Sequence, residues 1–290
     1  MKIGAMSILF REQQNTSAHI THSECLKRMK NAGFDAADLN LCLIATRRTP
    51  LHLDDWKRDA DLTAKSIEEL GLSVKQCHLP FKGAKQILKT PEDHEFYDKM
   101  FYRAIDVASY LGIPWGVIHP ETYRKRDWSF EEKLERNHKV NDAYIEYALS
   151  KNVNIAYENM PHKDGTYNFC TCAEELCELI DSYRDTRVGA CWDTGHGNLY
   201  SPVDQYDQIV KLGSRLHAIH VHDNAGKNED QHVPMLFGTV NWERVVSALR
   251  DVNYTGDFIM ELHLHDNSPE FLKDKYAHCF FESAKYILGL

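Results

Sequence analysis

Nine side chains suited to binding a metal ion recur along this chain: His78, His119, Glu158, Asp193, His196, His220, Asp230, His232 and Glu261. Most stand at or just past the end of a short apolar run. The runs span 73–78, 115–119, 153–158, 188–193, 216–220 and 257–261, each rich in Val, Ile, Ala or Leu and each closed by an ionisable residue. A single charged ending is an ordinary surface charge or helix cap. Six in succession imply parallel strands whose carboxyl ends converge on one site, as in a (β/α)8 barrel, where reactive side chains come from several strand ends and the loops that follow them.

Glu158, Asp193, His220 and Glu261 fall on the last four of these runs. Three carboxylates and one imidazole make a hard, oxygen-rich set that suits Mn²⁺, Mg²⁺ or Co²⁺ and accepts Zn²⁺. The expected cofactor is therefore one divalent metal ion. It would leave positions open for two substrate oxygens and would acidify the C–H bond between a carbonyl and its neighbouring hydroxyl. Glu158 and Glu261 are then the expected catalytic pair, one removing a proton and the other returning it.

The elements needed to position these groups are legible. Strands are expected over 2–10, 36–43, 73–80, 115–119, 153–158, 188–193, 216–222 and 257–263, alternating with helices over 23–31, 54–70, 92–111, 129–150, 173–183, 204–212, 242–251 and 269–288. Gly33, Gly71 and Gly112 stand where three of the helices stop. Strict alternation implies a parallel sheet with helical crossovers, and eight units at 290 residues imply closure into a TIM barrel forming one domain over 1–290. No Gly-x-Gly-x-x-Gly turn follows the first strand, which weighs against a dinucleotide fold. The longest irregular stretches, 82–91, 161–172 and 223–239, follow ligand-bearing strand ends and read as active-site loops.

Composition narrows the functional classes. A hydrophobic fraction of 43% and a charged fraction of 27% are globular values. No run approaches the length of a membrane span, so no membrane association is expected. The first residues enter a strand pattern without a signal-peptide core, and the eight cysteines are sparse, with Cys77 and Cys191 inside core strands. A cytoplasmic protein with reduced thiols is the expectation. Cys170, Cys172 and Cys177 lack the spacing of a zinc knuckle. The net charge of −9 opposes binding to nucleic acid, and Arg47-Arg48 and Arg124-Lys125-Arg126, the densest basic runs, read as solvated loops.

The segments Tyr157-Glu158-Asn159, Trp192-Asp193-Thr194-Gly195-His196, His220-Val221-His222-Asp223-Asn224-Ala225-Gly226, Asp230-Gln231-His232 and Gly238-Thr239-Val240-Asn241-Trp242 resemble the xylose-isomerase-like barrel superfamily. That group includes sugar isomerases, epimerases and apurinic endonucleases. His78-Leu79-Pro80-Phe81 and Ile118-His119-Pro120 extend the resemblance to nearly the whole chain. It implies a divalent ion on Glu158, Asp193, His220 and Glu261, with His196 and the loop after strand seven against the sugar. It also selects His220 over His222 as the ligand, since the superfamily's ligand lies three residues before an acidic residue, here Asp223. His222 then contacts substrate, supports the ligands or is a structural histidine.

The expected substrate-binding groups are His78, His119, His196, His222, Asp230 and His232, with the loop aromatics Phe81 and Phe237 as pocket lining. His78 and His119 admit a second metal or a buried partner as alternatives, and a second metal competes for Asp230 and His232. Trp192 is adjacent to Asp193 and is expected to face the helices. The resemblance keeps a multi-zinc nuclease open, because the matches of its extra ligands are all present. Against it, the stretches after Glu158 and Asp193 do not reproduce the nuclease patterns Thr-Ala-Gly and Cys-His-Ala-Phe. Met160 stands where xylose isomerases proper carry a lysine, which removes support for a hydride shift assisted by that lysine. The expected function is a metal-dependent isomerase or epimerase of a sugar, sugar acid or related polyol. A polyol dehydratase on the same site and an apurinic-site endonuclease are the alternatives. A small-molecule substrate is the expected partner, and a homo-oligomer is compatible with such a barrel.

Overall fold

Side chains alternate across a strand, so every second residue of a barrel strand points inward. In this chain the inward positions form two tiers. Val117, Ala156, Cys191 and Ala218 pack together as a lower tier, and Met6, Ala36 and Ile259 group in a neighbouring cluster. Two residues further along, Ala36, Val117, Ala156, Cys191, Ala218 and Ile259 lead to Asp38, His119, Glu158, Asp193, His220 and Glu261. Apolar side chains thus fill the barrel interior, and ionisable ones follow at its carboxyl end.

The computed structural model describes residues 1–10, 21–81, 89–121, 128–162, 168–199, 204–227, 229–264 and 268–290. Eight strands, β1 (Ile3–Met6), β2 (Ala36–Asn40), β3 (Ser73–His78), β4 (Trp115–Ile118), β5 (Asn154–Glu158), β6 (Val188–Asp193), β7 (Leu216–Val221) and β8 (Phe258–Met260), pair in parallel in chain order. Ile3, Gly4 and Ala5 pair with Phe258, Ile259 and Met260, which closes the barrel. The helices are α1 (His22–Asn31), α2 (Cys42–Ala45), α3 (Trp56–Leu70), α4 (Pro91–Tyr110), α5 (Phe130–Ser150), α6 (Ala173–Ser182), α7 (Thr194–Asn198), α8 (Gln205–Leu212), α9 (Trp242–Asp251) and α10 (Glu270–Leu288). The fold is the expected (β/α)8 TIM barrel.

Helix starts follow local chemistry. Thr21 with Glu24, Thr90 with Asp93 and Ser129 with Glu132 form capping boxes that satisfy the first backbone N–H groups of α1, α4 and α5. Trp192 faces outward as expected: its indole N–H donates to Gln205 Oε1 at 3.1 Å, and Gln205 Nε2 donates to the Thr194 carbonyl at 3.0 Å.

The differences from expectation lie at strand ends. The first strand stops at Met6 and the second at Asn40, where the chain turns into α2 rather than running on to residue 43. The eighth stops at Met260, so Glu261 stands just past it. The α7 turn follows β6 directly because Asp193 caps it, its Oδ1 accepting the His196 backbone N–H at 2.6 Å. The run Arg124-Lys125-Arg126 and most of the 82–91 loop lie outside the described residues. Among the described residues no helix is long and apolar enough to cross a membrane.

The loop from β7 to α9 is organised by one buried carboxylate. Asp223 Oδ1 accepts the backbone N–H groups of Asn224 and Val240, and its Oδ2 accepts those of Leu236 and the Trp242 indole. Asp223→Ala strands these donors in a site with no solvent exposure. Since a buried group left without its partner costs about 1–3 kcal/mol, the variant is expected to lose on the order of 3 kcal/mol of unfolding free energy. Denaturant titration checks this; a loss below about 1 kcal/mol would show that water replaces the carboxylate.

Candidate active site

The upper tier of the barrel brings potential ligand atoms into three groups, each with its atoms within 4.8 Å of one another. In the first, Glu158, Asp193, His220 and Glu261 come from β5, β6, β7 and the end of β8. His220 Nδ1 lies 3.1 Å from Glu158 Oε1 and 3.2 Å from Glu261 Oε2. In the second, His78 Nε2 and His119 Nε2 are 3.1 Å apart, and Glu158 Oε2 lies 3.4 Å from the former and 3.1 Å from the latter. Glu158 therefore belongs to both groups. In the third, His222 Nε2 lies 3.0 Å from Asp193 Oδ1 and 3.6 Å from Asp230 Oδ1, while Asp230 Oδ2 is 3.0 Å from His196 Nε2 and 3.1 Å from His232 Nε2.

The donor set fits a divalent cation. Glu158 Oε2, Asp193 Oδ2, Glu261 Oε2, Asp230 Oδ1 and His222 Nε2 are buried and, despite these histidine–carboxylate approaches, none is aligned in a hydrogen bond. Such atoms are costly in a low-dielectric interior unless a further positive charge or donor meets them. Convergence of carboxylate oxygens with imidazole nitrogens supplies the hard-to-borderline ligands that Mn²⁺, Co²⁺ or Zn²⁺ accept.

The imidazoles and carboxylates already polarise one another. Burial pushes the Glu158 carboxyl up, but His220, His119 and His78 outweigh it and hold the group well below the usual carboxylate range. Glu261 behaves alike, burial opposed mainly by His220. Burial favours neutral His196, yet Asp193, Asp230 and Glu158 raise it well above the ordinary histidine value. His232 is likewise pushed up to about 9 against burial, chiefly by Asp230. His119 goes the other way, because burial prevails there. The Asp230 carboxyl is lowered against burial by His196 and His232.

A cavity of about 380 Å³ opens above the cluster. Glu158 and Glu261 border it, as do His78, His119, His196, Asp230 and His232. Phe81 forms part of its wall, its ring 4.5 Å from that of His119. Two expected contact residues are placed elsewhere. Phe237 is 72% exposed and does not border the cavity, because the turn closed by its N–H to the Pro234 carbonyl carries the ring into solvent. His222 has no exposed surface and lies beneath His232, the rings stacked at 3.8 Å, so it touches the third ligand group instead of the cavity. Asp193 and His220 are also fully buried below the cavity floor.

Other participants escaped the sequence reading. Asn159, next to Glu158, holds β6 in place: its Oδ1 accepts the Asp193 N–H at 2.6 Å and its Nδ2 donates to the Asp193 carbonyl at 3.1 Å. Asp38 on β2 lies 3.3 Å from His220 Nε2. A charge inside the apolar run Ala36-Ala37-Asp38-Leu39 was a visible signal for it. Tyr97, Phe101 and Tyr144, on α4 and α5, wall the cavity, but on amphipathic helices such residues look like ordinary core.

Comparison with known proteins agrees with this architecture. Residues 26–278 match the family model described as a xylose isomerase-like TIM barrel. An uncharacterized protein of Methanocaldococcus jannaschii is 24% identical over 280 residues, covering 94% of this chain and 89% of that protein. A probable endonuclease 4 of Mesomycoplasma hyopneumoniae is 22% identical over 191 residues, 62% of this chain and 67% of its own. Among solved structures, D-psicose 3-epimerase with D-tagatose from Clostridium cellulolyticum H10 superposes with a TM-score of 0.75, covering 99% of each chain at 15% identity, a likeness of fold. With a closed eight-strand barrel and the family model matched from α1 into α10, the chain belongs to the xylose isomerase-like TIM barrel family.

Proposed function

We propose that this protein is a divalent-metal-dependent isomerase or epimerase of a sugar, sugar acid or related polyol. The observation that carries this reading is the placement of Glu158 and Glu261. Both carboxylates approach the same His220 nitrogen, at 3.1 and 3.2 Å, and both border one cavity of about 380 Å³. That volume is at the small end of the range for small-molecule sites. The likeness in fold to a psicose epimerase supports the same class of substrate.

Glu158, Asp193, His220 and Glu261 would hold the ion, which when bound supplies Lewis acidity toward a carbonyl and its adjacent hydroxyl. The chain's own groups do the rest. One glutamate takes the proton from the carbon beside the carbonyl, and the electron pair left behind gives an enediolate-like intermediate. The other glutamate returns a proton, to the opposite face of that carbon for an epimer or to its neighbour for an isomer. His196, His78, His119, Asp230 and His232 offer hydrogen bonds to substrate hydroxyls along the cavity floor. Phe81, Tyr97, Phe101 and Tyr144 present aromatic surface that excludes water and strengthens these polar contacts. A dehydratase would use the same proton removal and expel a hydroxyl from the next carbon.

One specific observation favours a second reading. The groups around His78 and His119 and around His222 and Asp230 offer ligands for two further ions, the set that a multi-zinc phosphodiesterase would need. The net charge of −9 opposes it. Metal analysis of the purified protein separates the two. About one ion per chain is expected for the sugar enzyme and about three for the phosphodiesterase. Removal by a strong chelator is expected to abolish turnover in either case, with recovery on adding back Mn²⁺ or Co²⁺.

The proton-transfer role has its own test. Glu261→Gln is nearly isosteric but a poor base, and it is expected to lower turnover about 10²–10⁴-fold while leaving much of the substrate binding. Wild-type reaction in D₂O is expected to place deuterium on the reacting carbon. Near-normal turnover in both Glu158→Gln and Glu261→Gln would end the two-glutamate scheme, and product free of deuterium would indicate internal proton return or a hydride shift.

A further inference from the structure

Beneath the ligand cluster lies a charged residue that neither borders the cavity nor belongs to any of the three ligand groups. Asp38 has no solvent exposure, and its carboxylate is fully engaged by protein. Its Oδ1 accepts the His78 backbone N–H at 3.0 Å. Its Oδ2 accepts Gln76 Nε2 at 2.8 Å and lies 3.3 Å from His220 Nε2. On the far side of the same ring, Nδ1 points between Glu158 Oε1 and Glu261 Oε2. His78 belongs to one ligand group and His220 to another, so a single carboxylate braces members of both.

We propose that Asp38 is a positioning residue for the candidate metal site, orienting His220 so that Nδ1 faces the cluster and fixing the end of β3 that carries His78. The inference rests on the metal-dependent reading above. A carboxylate is an acceptor only, so Asp38 favours a ring proton on Nε2, and a cation held by Glu158 and Glu261 would take the Nδ1 lone pair in place of the contact Nδ1 makes to Glu158 Oε1 at 3.1 Å. Gln76 keeps the carboxylate in register: its amide donates to Oδ2 and also lies 3.4 Å from the Ile219 carbonyl on β7. Asn at position 38 would turn one acceptor into a donor. Turned toward His220, its NH₂ would oppose the Nε2 proton and favour the tautomer that blocks Nδ1. Turned the other way, it would confront the His78 N–H.

Titration of metal-free protein with Co²⁺, read by calorimetry and by the visible absorption of the bound ion, tests this. Asp38→Asn is expected to bind Co²⁺ about 10–100-fold more weakly, the usual effect of removing a group that orients a ligand, and to change the Co²⁺ absorption bands. Melting of the metal-free variant is recorded alongside, since a merely structural role would lower the melting point and leave Co²⁺ affinity per folded molecule unchanged. That pattern would overturn the proposal. Should Asp38→Asn not fold, Gln76→Leu, which loosens the same carboxylate without removing its charge, is expected to weaken Co²⁺ binding several-fold, and wild-type affinity there would overturn the proposal equally. Absence of Co²⁺ uptake by the wild-type protein would instead remove the metal-dependent reading, and this inference with it.

Discussion

Burial of like charges at the carboxyl end of the barrel is the constraint around which the remaining structure is arranged. Asp38, Glu158, Asp193, Asp230 and Glu261 share a region from which water is largely excluded. Such a group of carboxylates would repel one another strongly in a low dielectric. The chain answers by interleaving imidazoles: each of the five lies within ion-pair distance of at least one histidine, and Glu158 of four. Several oxygens remain without hydrogen bonds even so.

Holding that arrangement requires room and a rigid frame. A Cβ on Gly195 would fall onto the His222 ring, so only glycine lets β6 and β7 bring Asp193 and His222 together. Gly238 faces a similar limit against Asp223 and the Asn224 carbonyl, where the β7–α9 loop folds back on its carboxylate anchor. The same loop carries His232 at φ 45° and Leu236 at φ 73°, conformations that L side chains adopt at a cost of about 1–3 kcal/mol. The Asp223 hydrogen bonds, the paired bridge between Asp223 and Val233, and the His232 Nδ1 contact to the Glu261 carbonyl at 3.1 Å offset that strain. Two of the seven described non-glycine residues at positive φ thus lie in the loop that carries Asp230 and His232 back over the barrel mouth.

Much of this is legible in the sequence. Apolar runs closed by an ionisable residue and glycine stops are local properties, so the eight units, their order and the four candidate ligands at the ends of the last strands could be read directly. The strand ends were less legible because termination depends on where the ladder runs out: Leu41 N–H makes the last β2–β3 bond, to the His78 carbonyl, and the chain then turns into α2. His222 takes a buried place among the candidate ligands, one of the alternatives open to it, and Phe237 turns to solvent, since sequence proximity to a loop or a candidate ligand does not specify which way a turn directs a ring.

By itself, then, the sequence determined the barrel, the tier of small side chains within it and the ionisable residues two positions further on, because alternation and helix punctuation act over a few residues. Only the tertiary structure decided that Glu158 bridges two ligand groups, that Asp38 stands behind His220, that His222 is buried under His232, and that Tyr97, Phe101 and Tyr144 wall the cavity. Those relations join residues from ten to nearly two hundred positions apart, and they depend on barrel closure and strand register, which no local pattern encodes.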